Sequence, residues 1–293
     1  MADFEDRYWN SADGLKLHYR DYPAFGPGAA SRAPLICMPG LTRNARDFEP
    51  VAELLAKMPG AKRRMIAIDF RGRGDSGYAK DPMSYMPLTY MQDVDALLRL
   101  LDLPSFITLG TSLGGIVSML LATTWKDKMK GAILNDVGPE IGSKGAERIR
   151  SYVGQTRKFD TWMHAARSLA DAHGEVYPDF KLDDWLRLTK RTCKLSNNGR
   201  IVFDYDMKIA EPFKLPGGEA GVDLWPFFES MTGVPLLVLR GATSDILEKA
   251  TATKMVKKHG RATLVTIPRV GHAPSLDEPE SLDAIKTFLA GLR

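Results

Sequence analysis

A serine between closely spaced glycines, a histidine near the C-terminus and an aspartate after a strand are the side chains here that could together cleave an acyl bond. Ser112 sits in Gly110-Thr111-Ser112-Leu113-Gly114. The apolar run ending at Leu109 reads as a buried strand and Ile116 to Thr124 as a buried helix, so the residues between must turn the chain sharply. Positions two before and two after the serine come too close for side chains, which explains glycine at 110 and 114. The turn holds the serine at the strand end. The helix start offers free backbone N–H groups, above all that of Leu113, to an attacked carbonyl oxygen. Taken alone, the pentapeptide also fits a surface serine in a glycine-rich turn; the flanking strand and helix favour a nucleophile.

A serine hydroxyl needs a base to take its proton and a carboxylate to orient that base. Of five histidines only His272 directly follows a strand, in Val270-Gly271-His272-Ala273. His18 reads as a strand residue, and His164, His173 and His259 lie on or beside helices. Two aspartates fit the chain order serine, aspartate, histidine: Asp245, past the strand Val234 to Leu239, and Asp136, past the strand Gly131 to Leu134.

The elements that must position these groups follow from periodicity. Arg7 to Ser11 and Leu15 to Asp21 form a hairpin; Leu35 to Met38 and Met65 to Asp69 are buried strands. Pro23 to Pro34 is a linker, and Tyr90 to Leu101 has apolar residues at helical spacing. From Pro139 to Phe228 helical segments dominate; strand and helix alternation then resumes with Val234 to Leu239, Leu247 to Lys258, Ala262 to Ile267 and a closing helix from Glu278 to Leu289. Such alternation predicts an α/β fold with a mostly parallel sheet covered on both faces, and a helical insertion above it. Residues 1–138 and 229–293 form the core and 139–228 the cap. The loop Phe70-Arg71-Gly72-Arg73-Gly74-Asp75-Ser76-Gly77 lacks the ending of a phosphate-binding loop and reads as structural.

Pro39-Gly40-Leu41, the Asp69 to Ser76 loop, Gly110 to Gly115, Gly241-Ala242-Thr243-Ser244-Asp245 and Gly271-His272 together resemble the α/β-hydrolase superfamily of serine hydrolases. The match covers nearly the whole chain outside the insertion. The resemblance implies an eight-stranded sheet, a helical cap and an oxyanion hole built from the backbone N–H groups of Leu41 and Leu113. It also places the acid at Asp245, leaving Asp136 as the alternative. The usual His-Gly before the first oxyanion residue is replaced by Pro39-Gly40, which removes one polar group from the pocket. Serine at 112 argues against the dehalogenases and epoxide hydrolases of the superfamily, which use aspartate there.

Composition excludes several functions. A formal charge of +4 without a basic block gives no reason to expect nucleic acid or membrane partners, and no apolar stretch approaches the length of a bilayer span. The N-terminus lacks a secretory core, so the chain is expected to be cytoplasmic, as a monomer or homodimer. Cys37 and Cys193 form neither a disulfide framework nor metal-ligand spacing, and no cofactor or metal is expected. The expected partner is a small molecule. The segment from Pro139 to Ser230 holds fourteen basic and fourteen acidic residues, so it offers no net charge to an ionic substrate. It is rich in aromatics, and Trp162, Trp185 and Trp225, with Arg43 from the first strand-end loop, are candidate pocket residues. The expected reaction is hydrolysis of a carboxylic ester, or a lactone, of a small apolar or aromatic substrate. The alternatives are carbon–carbon bond hydrolysis of an acidic ring-cleavage product, with Arg43 or other pocket cations holding it, and a non-catalytic receptor.

Overall fold

The computed structural model describes residues 2–24, 31–58, 63–214 and 223–292. Residues 25–30 of the expected linker and 215–222 of the expected cap lie outside that set.

The chain runs β1 (Glu5–Asn10), β2 (Lys16–Tyr22), β3 (Leu35–Met38), α1 (Glu49–Lys57), β4 (Met65–Asp69), α2 (Pro87–Leu101), β5 (Phe106–Thr111), α3 (Leu113–Trp125) and β6 (Met129–Asn135). Next come α4 (Ser143–Tyr152), β7 (Lys158–Phe159), α5 (Trp162–His173), α6 (Leu182–Thr192), β8 (Cys193–Leu195), β9 (Ile201–Phe203) and α7 (Trp225–Ser230). The chain closes with β10 (Leu236–Gly241), α8 (Lys249–His259), β11 (Ala262–Ile267) and α9 (Pro279–Gly291).

Eight strands make one sheet in the order β1-β2-β4-β3-β5-β6-β10-β11. The β1–β2 and β2–β4 pairs are antiparallel and the remaining pairs are parallel. A strand buried on both faces needs no polar alternation, and β3 and β4 are apolar or buried at every position. Ile36 and Met38 face a layer that includes Val94 of α2, Val117 of α3 and Met255 of α8. Leu35 and Cys37 face the opposite layer, with Val51 of α1 and Ile285 of α9. Each fully buried aliphatic side chain of this kind contributes about 1.5–3 kcal/mol over exposure. Both cysteines are buried and free.

Between β6 and β10 the chain is helical, as its periodicity predicts, but β7, β9 and β8 add a small antiparallel sheet. Its strands have only two or three residues, too few for periodicity to register. The glycine-punctuated loop after β4 ties this region to the main sheet. Gly74 N–H donates to the Asp204 carbonyl at 3.2 Å, and Asp206 N–H donates to that of Gly72 at 2.7 Å. Inside the loop, buried Arg71 makes a two-pronged ion pair with Asp93 at 2.7 Å. The structural reading of this loop therefore rests on its bonds to both layers. Among the described residues no helix is long and apolar enough to cross a membrane.

Candidate active site

The serine turn is as tight as its glycines demand. Ser112 has φ 52° and ψ −114°, a backbone conformation that L residues adopt only when the surroundings enforce it. A Cβ added at Gly110 would lie 2.3 Å from the Gly114 carbonyl carbon, and one at Gly114 would lie 2.0 Å from the Met38 carbonyl oxygen on β3. Both approaches exclude a side chain. Ser112 N–H donates to the Asn135 carbonyl at 3.0 Å, which fixes the turn against the end of β6.

His272 reaches Ser112 from the loop after β11. Its Nε2 is 2.9 Å from Ser112 Oγ, and its Nδ1 is 2.8 Å from Asp136 Oδ2. The loop is held from two sides. Asn135 Nδ2 donates to the Pro274 carbonyl at 2.9 Å, and the Tyr177 hydroxyl donates to the Ala273 carbonyl at 2.7 Å. Burial pushes the Tyr177 phenol upward, so it keeps the proton it donates.

The acid is corrected by this geometry. Asp245, expected beside the histidine, turns instead to Arg148 of α4, with Oδ2 and Oδ1 accepting from Nε and Nη2 at 2.7 and 2.8 Å. That guanidinium holds the Asp245 carboxyl below its ordinary range. Asp136 is fully buried and receives Gly241 N–H at 2.9 Å and the Ser244 hydroxyl at 2.6 Å. Since β6 and β10 are neighbours, their C-terminal ends both lie near His272. The loop after β10 supplies the groups that hold the carboxylate, while the carboxylate itself comes from β6. Asp136 takes φ 58°, a left-handed conformation that aspartate tolerates better than most residues.

A cavity of about 330 Å³ opens onto Ser112 and His272, lined also by Gly40, Leu41 and Arg43. Gly40 comes close to the serine: a Cβ built there would be 3.9 Å from that of Ser112. Arg73, fully buried in the loop after β4, donates from Nε to the Leu41 carbonyl at 2.8 Å and so pins the loop that lies over the serine. Sequence reading passed Arg73 over because its partner is a backbone carbonyl distant in the chain. Leu113 opens α3 immediately after the serine.

The three tryptophans do not line the cavity. Trp185 is buried with Ala166, Leu169 and Leu188, and Trp162 packs against Ala165, Cys193 and Ile201. Trp225 donates from Nε1 to Glu140 at 2.7 Å, beneath the ammonium of Lys254. Trp162 and Trp185 serve the packing of the insertion, whereas Trp225 packs against the main core. Tyr152, Tyr177, Phe203 and Tyr205 take the aromatic places on the wall. Four arginines join them: Arg43, Arg148, Arg157 and Arg191. The even charge of the insertion is therefore distributed unevenly, with cations turned to the cavity. Burial, with Arg43, Arg148 and Arg157 nearby, depresses the wall residue His173 to about 4.

One further group has metal-like spacing among the described residues, His18 with Asp69 and Asp75. The ligand atoms of His18 and Asp69 are already engaged. His18 Nδ1 meets Asp69 at 2.7 Å and Nε2 meets Asp6 at 2.9 Å, while Asp69 also receives the N–H groups of Ala45 and Asp75 at 2.7 and 3.0 Å. The cluster reads as a hydrogen-bonded brace.

The pattern of the alpha/beta hydrolase family matches residues 35–284. The chain is an alpha/beta hydrolase. It is 32% identical to a 3-hydroxybutyrate-oligomer hydrolase from Cupriavidus necator, over 94% of each chain. A 24% identity to an sn-1-specific diacylglycerol lipase from Mus musculus spans 90% of this chain and 83% of the lipase. The crystal structure of an alpha/beta hydrolase from Novosphingobium aromaticivorans, 54% identical and covering 99% of both chains, superposes with a TM-score of 0.92. This hydrolase has an eight-stranded sheet with the serine turn at the end of β5, between β3 and β6.

Proposed function

We propose that this hydrolase cleaves carboxylic esters through an acyl-enzyme on Ser112. The observation that carries the reading is the continuous relay from buried Asp136 through His272 to Ser112 Oγ at the floor of the cavity. Oγ attacks the ester carbonyl carbon while its proton passes to His272 Nε2. Asp136 stabilises the imidazolium, and the N–H groups of Leu41 and Leu113 receive the developing oxyanion. The tetrahedral intermediate then expels the alcohol, which takes the proton from His272, and leaves Ser112 acylated. Water attacks the acyl carbon with His272 again as base, releasing the carboxylic acid and restoring the serine.

The named substrates of both sequence relatives, a hydroxybutyrate oligomer and a diacylglycerol, are carboxylic esters, which supports ester over carbon–carbon cleavage. Residues 139–228 serve as the cap that walls the cavity. A lactone would follow the same steps, its alcohol remaining attached to the acyl group. The arginines of the wall favour keeping carbon–carbon hydrolysis of an acidic ring-cleavage product as the second reading.

The test is a panel of p-nitrophenyl esters, lactones and vinylogous diketo acids, with wild type beside Ser112→Ala. Ester turnover lost in the variant is expected; turnover confined to diketo acids would move the reaction to the second reading. A small organophosphate should add its mass at Ser112 and fail to do so in His272→Ala. An unmodified peptide 110–114 would remove the acyl-enzyme and leave a receptor on this fold.

A further inference from the structure

Three of the four cavity arginines are already neutralised. Arg43 Nε donates to Asp47 at 2.7 Å, Arg148 is bracketed by Asp245, and Arg191 Nη1 donates to Asp277 at 2.7 Å. Each is fixed in place by its own carboxylate, and each shapes the wall more than it attracts an anion. Arg157 differs. It stands between α4 and β7, exposed at the rim, and its partners are neutral and long: Ser168 Oγ at 3.3 Å and Gln155 Oε1 at 3.4 Å. Among the described residues it has no carboxylate within ion-pair distance. A guanidinium carries a planar fork of donors that matches a carboxylate, and here only weak single bonds occupy it.

Its surroundings point the same way. Ser168, Gln155 and Ser151 line the cavity beside it, so the rim offers hydroxyl and amide groups to satisfy an anion's remaining lone pairs. His173 on the same wall is depressed to about 4 by burial first, with Arg43, Arg148 and Arg157 adding a smaller push in the same direction. Among the described residues Asp47 is the one acidic side chain on the lining, and Arg43 already occupies it.

We propose that Arg157 is a carboxylate anchor, and that the ester cleaved at Ser112 carries a free carboxylate that Arg157 holds at the cavity rim. This rests on the ester reading above and narrows it: acidic esters, such as linear hydroxy-acid oligomers with a free acid end, are preferred over neutral glycerides. The acid end would stand at the rim while the scissile carbonyl lies at Ser112. Exposure limits the effect. An ion pair open to solvent is screened by water and salt, so the preference should be about two- to fivefold in KM and fall as ionic strength rises.

The probes are the linear dimer of 3-hydroxybutyrate and the methyl ester of the same dimer, which differ only by the charge. Binding is measured by calorimetry on Ser112→Ala and on Ser112→Ala with Arg157→Gln, and turnover on wild type and Arg157→Gln. The expected result is tighter binding of the acid by about two- to fivefold in Ser112→Ala, falling to a ratio near one with Arg157→Gln. Arg157→Lys should restore part of it, because it returns the charge without the fork. In turnover the same ratio should appear in KM, with kcat little altered. An acid-to-methyl-ester ratio that is one in Ser112→Ala, or that survives Arg157→Gln, overturns the anchor. Failure of the ester reading looks different: the acid is still bound preferentially through Arg157, but wild type cleaves neither probe.

Discussion

His18 and His272 each hold an aspartate through Nδ1, at 2.7 and 2.8 Å, and only one of them faces a nucleophile. At the far edge of the serine region, His18 Nε2 is closed off by Asp6, so the ring lies between two carboxylates with its side chain almost wholly buried. Burial alone would depress that imidazole, but the bond and attraction of Asp69, with Asp6 and Asp75, outweigh it and raise its pKa. The charged form of the ring is thereby favoured. His272 Nε2 meets the Ser112 hydroxyl, which opens on a cavity, the contact the proposed acyl transfer uses. A histidine–aspartate pair is thus a brace or a base according to what the second nitrogen touches.

The comparison can be broken most severely at the hydroxyl. Ser112→Ala should lower kcat by about a million-fold, the loss typical of a nucleophile in such a relay, with the fold unchanged by circular dichroism. Residual turnover above a hundredth of wild type would show that another group attacks. Next in size is the acid. Asp136→Asn should cost about ten-thousand-fold, since the amide fixes the wrong tautomer, while Asp245→Asn should cost far less because it only frees Arg148. Matched kinetics giving the reverse order would return the acid to Asp245.

The brace should fail in stability and not in chemistry. Asp69→Asn breaks a buried pair and is expected to cost about 3 kcal/mol, a fall of roughly 6–12 °C in melting temperature, with little change in kcat of the folded enzyme. A kcat loss matching that of Asp136→Asn would make the two pairs one functional unit. The smallest effect is in pH. Because the folded pKa of His18 lies above the ordinary 6.5, its charged form adds stability that is complete below that value and fades as pH rises through the raised one. The melting-temperature gap between wild type and His18→Gln should therefore narrow as pH rises above the ordinary 6.5; a constant gap would mean that His18 does not titrate with unfolding.

Much of the site was legible because its geometry is local. The turn at Ser112 is encoded by Gly110 and Gly114 within five residues, and His272 follows its strand directly. The acid was not, since Asp136 and Asp245 both follow strands whose ends converge. The deciding partner of Asp245, Arg148, is nearly a hundred residues away in sequence and belongs to the insertion. The wall was opaque for a related reason. Counting charges from Pro139 to Ser230 predicts neutrality, yet Arg148, Arg157 and Arg191 turn inward while acidic residues such as Asp160, Asp179 and Asp183 stay exposed. Aromatic content likewise cannot separate a packing ring such as Trp185 from a wall ring such as Tyr205.

The loop bearing His272 also fixes how a substrate can arrive. Gly271 N–H donates to the Val176 carbonyl at 2.9 Å, and the Tyr177 hydroxyl to that of Ala273 at 2.7 Å, so the insertion is stitched to the base itself. On the opposite flank the Arg73 loop joins it through Asp204 and Asp206. Lifting the insertion at the first flank would therefore disturb the His272 loop, and at the second the loop that carries Leu41. The exposed margin at Gln155 and Arg157 lies on the cavity and carries neither set of stitches, so entry there would leave Ser112, His272 and Asp136 in register.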